Sequence, residues 1–237
     1  MIDRSLNYGR NHVANFLNKT TFSTVLDLGA GQGSDLDLAV KANPNASVHA
    51  IEVYPEYAKI LSNKDFTVHS INIEREQIPL ENESVDVIIM NQLLEHTKEV
   101  FWIFEEISRV LRVNGRLILG VPNLASLHNR LLLAFGRQPS PIKTRSAHVR
   151  GFTRNDLVDF LETVWPGGYS LVDFGGGNFY PFPPILAKPL AGLLPNFAWS
   201  IFLLLEKNQA YQGQFVAYPP KENLETNFWL GPEKSNT

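Results

Sequence analysis

The chain has 237 residues, 44% of them hydrophobic and 19% charged, which suits one α/β domain with a sizeable core and excludes a disordered protein. It has no cysteine, so disulfides and thiolate metal sites are excluded, and a net charge of −3 gives no basic footprint for nucleic acid. The stretch Met1–Tyr8 lacks a signal peptide's apolar core, and no apolar run reaches the ~20 residues of a membrane helix, so a cytoplasmic protein without a membrane span is expected.

Leu6, Val13, Phe16 and Leu17 set a loose helical face over residues 6–18. Val25–Leu28 is a short apolar run of the kind that forms a strand buried on both faces. It stops at Gly29, Ala30, Gly31 and Gly33. Ser34–Val40 then reads as a helix with Asp35 and Asp37 at the positive end of its dipole. Strand, glycine turn and helix together present backbone N–H groups to a ligand. A dinucleotide loop of the G-x-G-x-x-G kind needs glycine at position 34, where this chain has Ser34.

Ser47–Ile51 is the second predicted strand. Glu52 follows it, about 20 residues past the glycines, where a carboxylate offers only acceptors and two ribose hydroxyls can share it. Pro55 starts a helix with Tyr57, Ala58 and Leu61 facing inward. Phe66–Ile71 is the third strand and Val85–Met90 the fourth, leading into Asn91–His96 at the ligand edge of an open sheet. An apolar stripe from Val100 to Leu111 predicts a helix ending at Asn114-Gly115, and Arg116–Val121 is the fifth strand, closed by Pro122-Asn123.

The second half is less regular. Leu124, Leu127, Leu131 and Phe135 mark a helix ending at Gly136, followed by a basic, proline-bearing loop over 137–145 with the character of a lid. Thr153 and Asp156 form a capping-box-like start for a helix with Leu157, Phe160, Leu161 and Val164 inward. Tyr169–Phe174 is the sixth strand, ending in Gly175-Gly176-Gly177, and Ser200–Leu205 the seventh. The prolines of 180–190 argue against one long helix. That segment is expected to pack on its own domain, with a pocket cap, a lipid surface and a dimer contact as alternatives. From Asn208 an extended aromatic arm is expected, dividing the chain into a main domain, 1–207, and an arm, 208–237.

The order G-x-G-x-G with Asp27 two residues ahead, Glu52, Asn72-Ile73, Ser84-Val85-Asp86 before an apolar strand, Leu94-Glu95-His96 and Val121-Pro122-Asn123 resembles the class I S-adenosylmethionine (SAM) methyltransferases. The resemblance runs over residues 23–207. It implies a doubly wound, Rossmann-like seven-stranded sheet with helices on both faces and the last strand antiparallel. It implies SAM as cofactor and S-adenosylhomocysteine as product. The cofactor would be held by Asp27, Gly29, Ala30, Gly31, Gly33, Glu52, Val53, Asn72, Ile73 and Asn91. Asn72 stands where the family usually has Asp. A helix before the first strand often covers the methionine end, which gives Tyr8 and His12 that role or leaves them on an ordinary half-exposed face.

Glu95-His96 has two readings, His96 as general base on an acceptor hydroxyl or the pair as a structural pin. The ubiquinone-pathway O-methyltransferases bind a cation through Glu-x-x-Glu-His, but Gln92 replaces the first Glu, so no metal is expected. His148-x-Arg150-x-Phe152-Thr153 resembles a subgroup associated with cell-surface polysaccharide and sugar biosynthesis. This makes His148 a second catalytic candidate and places Asn123 and Arg150 on the acceptor, with Lys143 and Arg145 beside Arg150. The implied function is methyl transfer to a small molecule, a sugar or sugar-linked lipid, leaving room for peripheral membrane contact. Two alternatives stand beside it: a non-catalytic SAM-binding subunit of a partner protein, and an NAD(P)-binding oxidoreductase, against which Ser34 argues.

Overall fold

In a computed structural model, residues 9–224 and 227–232 are described. Tyr8 lies outside them. The apolar runs form β1 (Thr24–Leu28), β2 (Ser47–Ile51), β3 (Thr67–His69), β4 (Val85–Asn91), β5 (Leu111–Pro122), β6 (Tyr169–Gly177) and β7 (Ser200–Lys207). They make one seven-stranded sheet in the order β3-β2-β1-β4-β5-β7-β6. β1 to β5 pair in parallel, and β7 lies antiparallel between β5 and β6. The doubly wound sheet with an antiparallel last strand is as the resemblance implied.

Helices α1 (Arg10–Asn18), α2 (Ser34–Ala42), α3 (Pro55–Ser62), α4 (Val100–Val110), α5 (Leu127–Ala134), α6 (Arg154–Val164), α7 (Pro184–Leu193) and α8 (Gln214–Lys221) surround it. Side chains alternate across a strand, so the central strands feed two cores. Leu26, Leu28, Ile88 and Met90 pack with Phe104 of α4, Leu157 and Leu161 of α6 and Phe215 of α8. Val25, Val87 and Ile89 pack with Phe16 of α1, Leu36 and Ala39 of α2 and Leu61. Burial on both faces is why these strands read as unbroken apolar runs rather than as alternating ones.

Several expectations need correction. The α4 stripe ends at Val110, not at Asn114-Gly115. Leu111 already pairs with Val85 and the next ladder pair is Arg116 with Val87, so residues 112–115 loop out of the strand. The fully buried Lys207 explains the early stop: its ammonium donates to Ser108 O at 2.8 Å and Leu111 O at 2.6 Å, placing a cation on the negative end of α4. β3 is only three residues long. β6 runs through Gly175–Gly177 instead of ending there, because a Cβ on Gly175 would lie 2.3 Å from the His12 ring and one on Gly176 2.6 Å from Ala198. The glycines serve close packing, not a turn.

The proline-rich segment does form a ten-residue helix, α7, with Pro189 inside it. Pro184 suits the first turn, and the carbonyl that Pro189 leaves free belongs to exposed Ile185. The segment after Asn208 is not simply extended. It contains α8, whose Phe215 is fully buried against Phe104 and Trp165. The Thr153 hydroxyl accepts from Asp156 N–H and caps α6 as the sequence predicts.

Candidate functional site

The carboxyl ends of β1, β2 and β4 open on a cavity of about 560 Å³, within the range of small-molecule sites. Gly29, Gly31, Glu52, Val53, Asn72, Ile73 and His96 line it. A second cavity of about 450 Å³ lies across the glycine loop, lined by Ala30, Asn91, Gly29 and Gly31 among others. Gly31 sits at φ +54°, a conformation side-chain-bearing residues seldom adopt, and a Cβ there would meet no protein atom. The loop therefore exposes bare backbone toward open space between the two cavities.

Glu52 is 5% exposed and fixes this geometry. One carboxylate oxygen accepts from Gly31 N–H at 2.7 Å and the other from Tyr54 N–H at 2.8 Å. Each oxygen keeps a lone pair for a further donor, so the group is held in place yet still able to accept two hydroxyls. Asn72 lines the cavity, but its side-chain oxygen already accepts from Glu74 N–H at 3.0 Å, which leaves one lone pair for an adenine amino group. Ile73 is buried beside it as an apolar wall.

Asp27 and Gly33 line neither cavity. Asp27 lies under the loop, 3% exposed, where burial first and then the Asp35 carboxylate hold its pKa well above the ordinary carboxylate range, against the pull of Arg10. Gly33 is the left-handed residue that opens α2. Asn91 donates to Asp35 at 3.0 Å, and Asp35 pairs with Arg10 at 3.2 Å, so the second cavity has an Arg-Asp-Asn wall.

Past β4, a 3-10 turn (Leu94–His96) puts Glu95 inside and His96 at the mouth. The loop carrying His148 docks on this turn: Val149 N–H and Arg150 N–H both donate to Glu95 O, at 2.9 and 3.4 Å. His96 and His148 meet edge to face, ring centres 4.6 Å apart. One ligand atom from each of Glu95, His96 and His148 lies within 4.8 Å of the others. Glu95 Oε2 and His148 Nδ1 are buried without a hydrogen-bond partner among the described residues. Burial raises the Glu95 carboxyl to about 7, and burial followed by the neighbouring His96 lowers the His148 imidazole. Burial thus favours the protonated carboxyl of Glu95 and the neutral imidazole of His148 side by side, an arrangement suited to proton transfer. The spacing argument at Gln92 considered Glu95 and His96 alone; a third group arrives from a different loop.

Other candidates fall elsewhere. Asn123 is 1% exposed and not in the main cavity; its amide donates to Asn196 O and Ala198 O, both at 2.9 Å, and its oxygen accepts from Ala125 N–H. It ties the start of α5 to the segment after α7 and borders a separate cavity of about 420 Å³. Arg150 lines a separate cavity of about 210 Å³ beside α4, donates to Lys98 O, and stacks over Phe228. His12 stacks on Phe202 at 4.9 Å and hydrogen-bonds Gly176 O, so it packs α1 onto the sheet.

Tyr57, Tyr54 and Arg10 line these cavities without having been placed in the site by the sequence. Tyr57 is expected inward, yet it is half-buried and borders both cavities, with Tyr54 edge-on to it at 6.1 Å. Two tyrosines around Pro55, directly after Glu52, were the available signal. Arg10, the first residue of α1, carried none.

Residues 26–119 match the family model described as a methyltransferase domain. A methyltransferase-like protein of Schizosaccharomyces pombe is 36% identical over 161 residues, 68% of this chain and 57% of its own length. The chain spans from about a third to a little over half the length of the first curated relatives it matches. Among solved structures, a Haloferax volcanii protein in complex with the Trm112 methyltransferase activator superposes with a TM-score of 0.61, at 14% identity, covering 89% of this chain and 92% of that one. The Burkholderia thailandensis 1,6-didemethyltoxoflavin-N1-methyltransferase, solved with S-adenosylhomocysteine, superposes with 0.57 at 15% identity, covering 87% and 80%. Residues 26–119 are similar to a methyltransferase domain, the doubly wound sheet is Rossmann-like with its last strand antiparallel, and the matched family supports SAM as cofactor.

Proposed function

We propose that this chain, with its class I methyltransferase domain over residues 26–119, moves a methyl group from SAM to a small-molecule hydroxyl, on a sugar or a sugar-linked lipid. One observation carries the cofactor reading: Glu52, pinned by Gly31 and Tyr54, faces the cavity at the end of β2 with acceptor capacity left for two ribose hydroxyls. Bound there, SAM supplies an activated methyl group on a sulfonium that is already a good leaving group. The chain's contribution is then positioning, plus one base. Asn72 and Ile73 border the adenine side, Tyr57 spans the two cavities, and Asn91, with the Asp35–Arg10 pair, borders the methionine side.

His96 sits at the mouth of the cavity, and His148 stands against it with its pKa lowered by burial. Either imidazole takes the proton that an acceptor hydroxyl loses, and Glu95 relays or stores it. The sugar acceptor rests on the likeness of His148-x-Arg150-x-Phe152-Thr153 to the polysaccharide subgroup. A second reading, a methyltransferase that works only with a bound partner, draws support from the Trm112 complex of the Haloferax volcanii neighbour.

The test is transfer of a labelled methyl group from SAM to a panel of sugars, sugar nucleotides and polyprenyl-linked sugars. The expected result is label in one acceptor class, lost in the H96A/H148A double variant while S-adenosylhomocysteine still binds. No transfer across the panel, with an obligate partner copurifying, would favour the partner-dependent reading instead.

A further inference from the structure

Charge and exposed apolar surface are segregated in this molecule in a way the methyl-transfer reading does not use. Residues 124–155 and 174–205 together hold seven of the 21 Lys and Arg residues and none of the 24 Asp and Glu residues. These are the stretches that carry α5 and α7. The two helices share a small core: Leu127 of α5 and Leu190 of α7 pack against a cluster of Phe179, Ala187, Ala191 and Ala198. Asn123 holds the start of one lobe segment to Asn196 and Ala198 of the other.

The inner face of α7 is Ala187 and Ala191, both buried. Its outer face is also apolar. Ile185 is 81% exposed and Leu193 78%, two turns apart on one side of the helix, with Leu186 beside them. On α5, Leu131 and Leu133 are exposed, and Phe135 just after it is 80% exposed. Large apolar side chains left in water in such number mark an interaction surface. The same segments carry the exposed cations Arg137, Lys143, Arg145 and Lys188. Between the lobe's roots lies a cavity of about 420 Å³ bordered by Arg130 and Arg154 with no carboxylate among its lining residues.

We propose that the α5/α7 lobe docks this protein on an anionic lipid bilayer. Exposed aliphatic and aromatic side chains enter the headgroup boundary, and the surrounding cations meet lipid phosphates, the combination that holds interfacial helices in place. A second copy of the chain would suit the apolar face equally well. It would not suit the charge, because two lobes of this kind bring cations against cations. The proposal stands apart from the methyl-transfer reading, since docking needs no cofactor.

The experiment is sedimentation of the purified chain with vesicles of phosphatidylcholine alone and with about one-third phosphatidylglycerol, with the I185S/L193S and R137E/K188E variants alongside. All four positions are exposed, so S-adenosylhomocysteine affinity and thermal midpoint serve as folding controls. The expected result is binding at least ~10-fold tighter to the anionic vesicles, weakened by salt, and reduced at least ~10-fold by either double variant. Equal or absent binding to both vesicles would overturn the proposal, as would full retention by the variants. A dimer in light scattering that I185S/L193S dissolves, without vesicle binding, would assign the face to a second copy. If I185S/L193S fails to fold, R137E/K188E decides alone.

Discussion

The glycine-loop half and the α5/α7 lobe solve the same problem, placing polar groups beside a ligand, in different ways. In the first half, position along a strand is enough. A buried strand ends, and the next residues are delivered to the sheet edge by the 3.3 Å rise and the twist of the sheet, so Glu52, Asn72 and His96 arrive at one cavity from three separate strands. In the lobe, placement depends on side chains gripping backbone far away in sequence. Asn123 reaches carbonyls 73 and 75 residues on, and His148 is set by two N–H groups docked on the Glu95 carbonyl.

Four substitutions press on that contrast, in falling order of expected effect. His148→Ala leaves S-adenosylhomocysteine affinity within about twofold while turnover falls by roughly 10²-fold or more, the usual contribution of a positioned base. Collapse of cofactor binding instead would make His148 part of the first half. Asn123→Ala strips buried carbonyls of their donor and costs about 2–4 kcal/mol in urea unfolding, with cofactor affinity unchanged in the molecules that remain folded. A neutral substitution would remove Asn123 from the lobe's anchorage.

Glu95→Gln tests the group at the junction by pH. A carboxyl raised to about 7 from an unfolded value near 4.5 binds its proton more tightly when folded. Its stabilising contribution is therefore full below about pH 4.5 and is lost as pH rises through 7. Relative to wild type, the Gln variant gains about 2 kcal/mol between pH 5 and pH 8. Parallel stability curves across that window would mean the carboxyl titrates normally. Glu52→Ala weakens S-adenosylhomocysteine binding at least ~10-fold as two charge-assisted hydrogen bonds go. Unchanged calorimetric affinity would take Glu52 out of the site.

The same contrast decides how much was legible beforehand. The strands and the cavity-lining residues Gly31 and Glu52 follow from apolar runs and the residues that close them, while the antiparallel last strand and Ile73 rest on family likeness. Tyr57 was misread because helical spacing marks a side facing the protein, and a cavity wall and a core occupy the same side. The end of α4 was misread because a buried ammonium almost 100 residues away stops it. Neither the strand-end position of Asn123 nor the motif that carries Arg150 reveals that the amide and the guanidinium also hold backbone carbonyls. Gly175–Gly177 look like a strand end because the His12 ring that needs the space at Gly175 is absent from the local sequence.

Isothermal titration of S-adenosylhomocysteine into the purified wild-type chain, with NADH as control, tests the central claim most directly. Micromolar binding of the first and none of the second is the predicted result. Binding of NADH without S-adenosylhomocysteine would contradict it and turn the Glu52 cavity over to a dinucleotide.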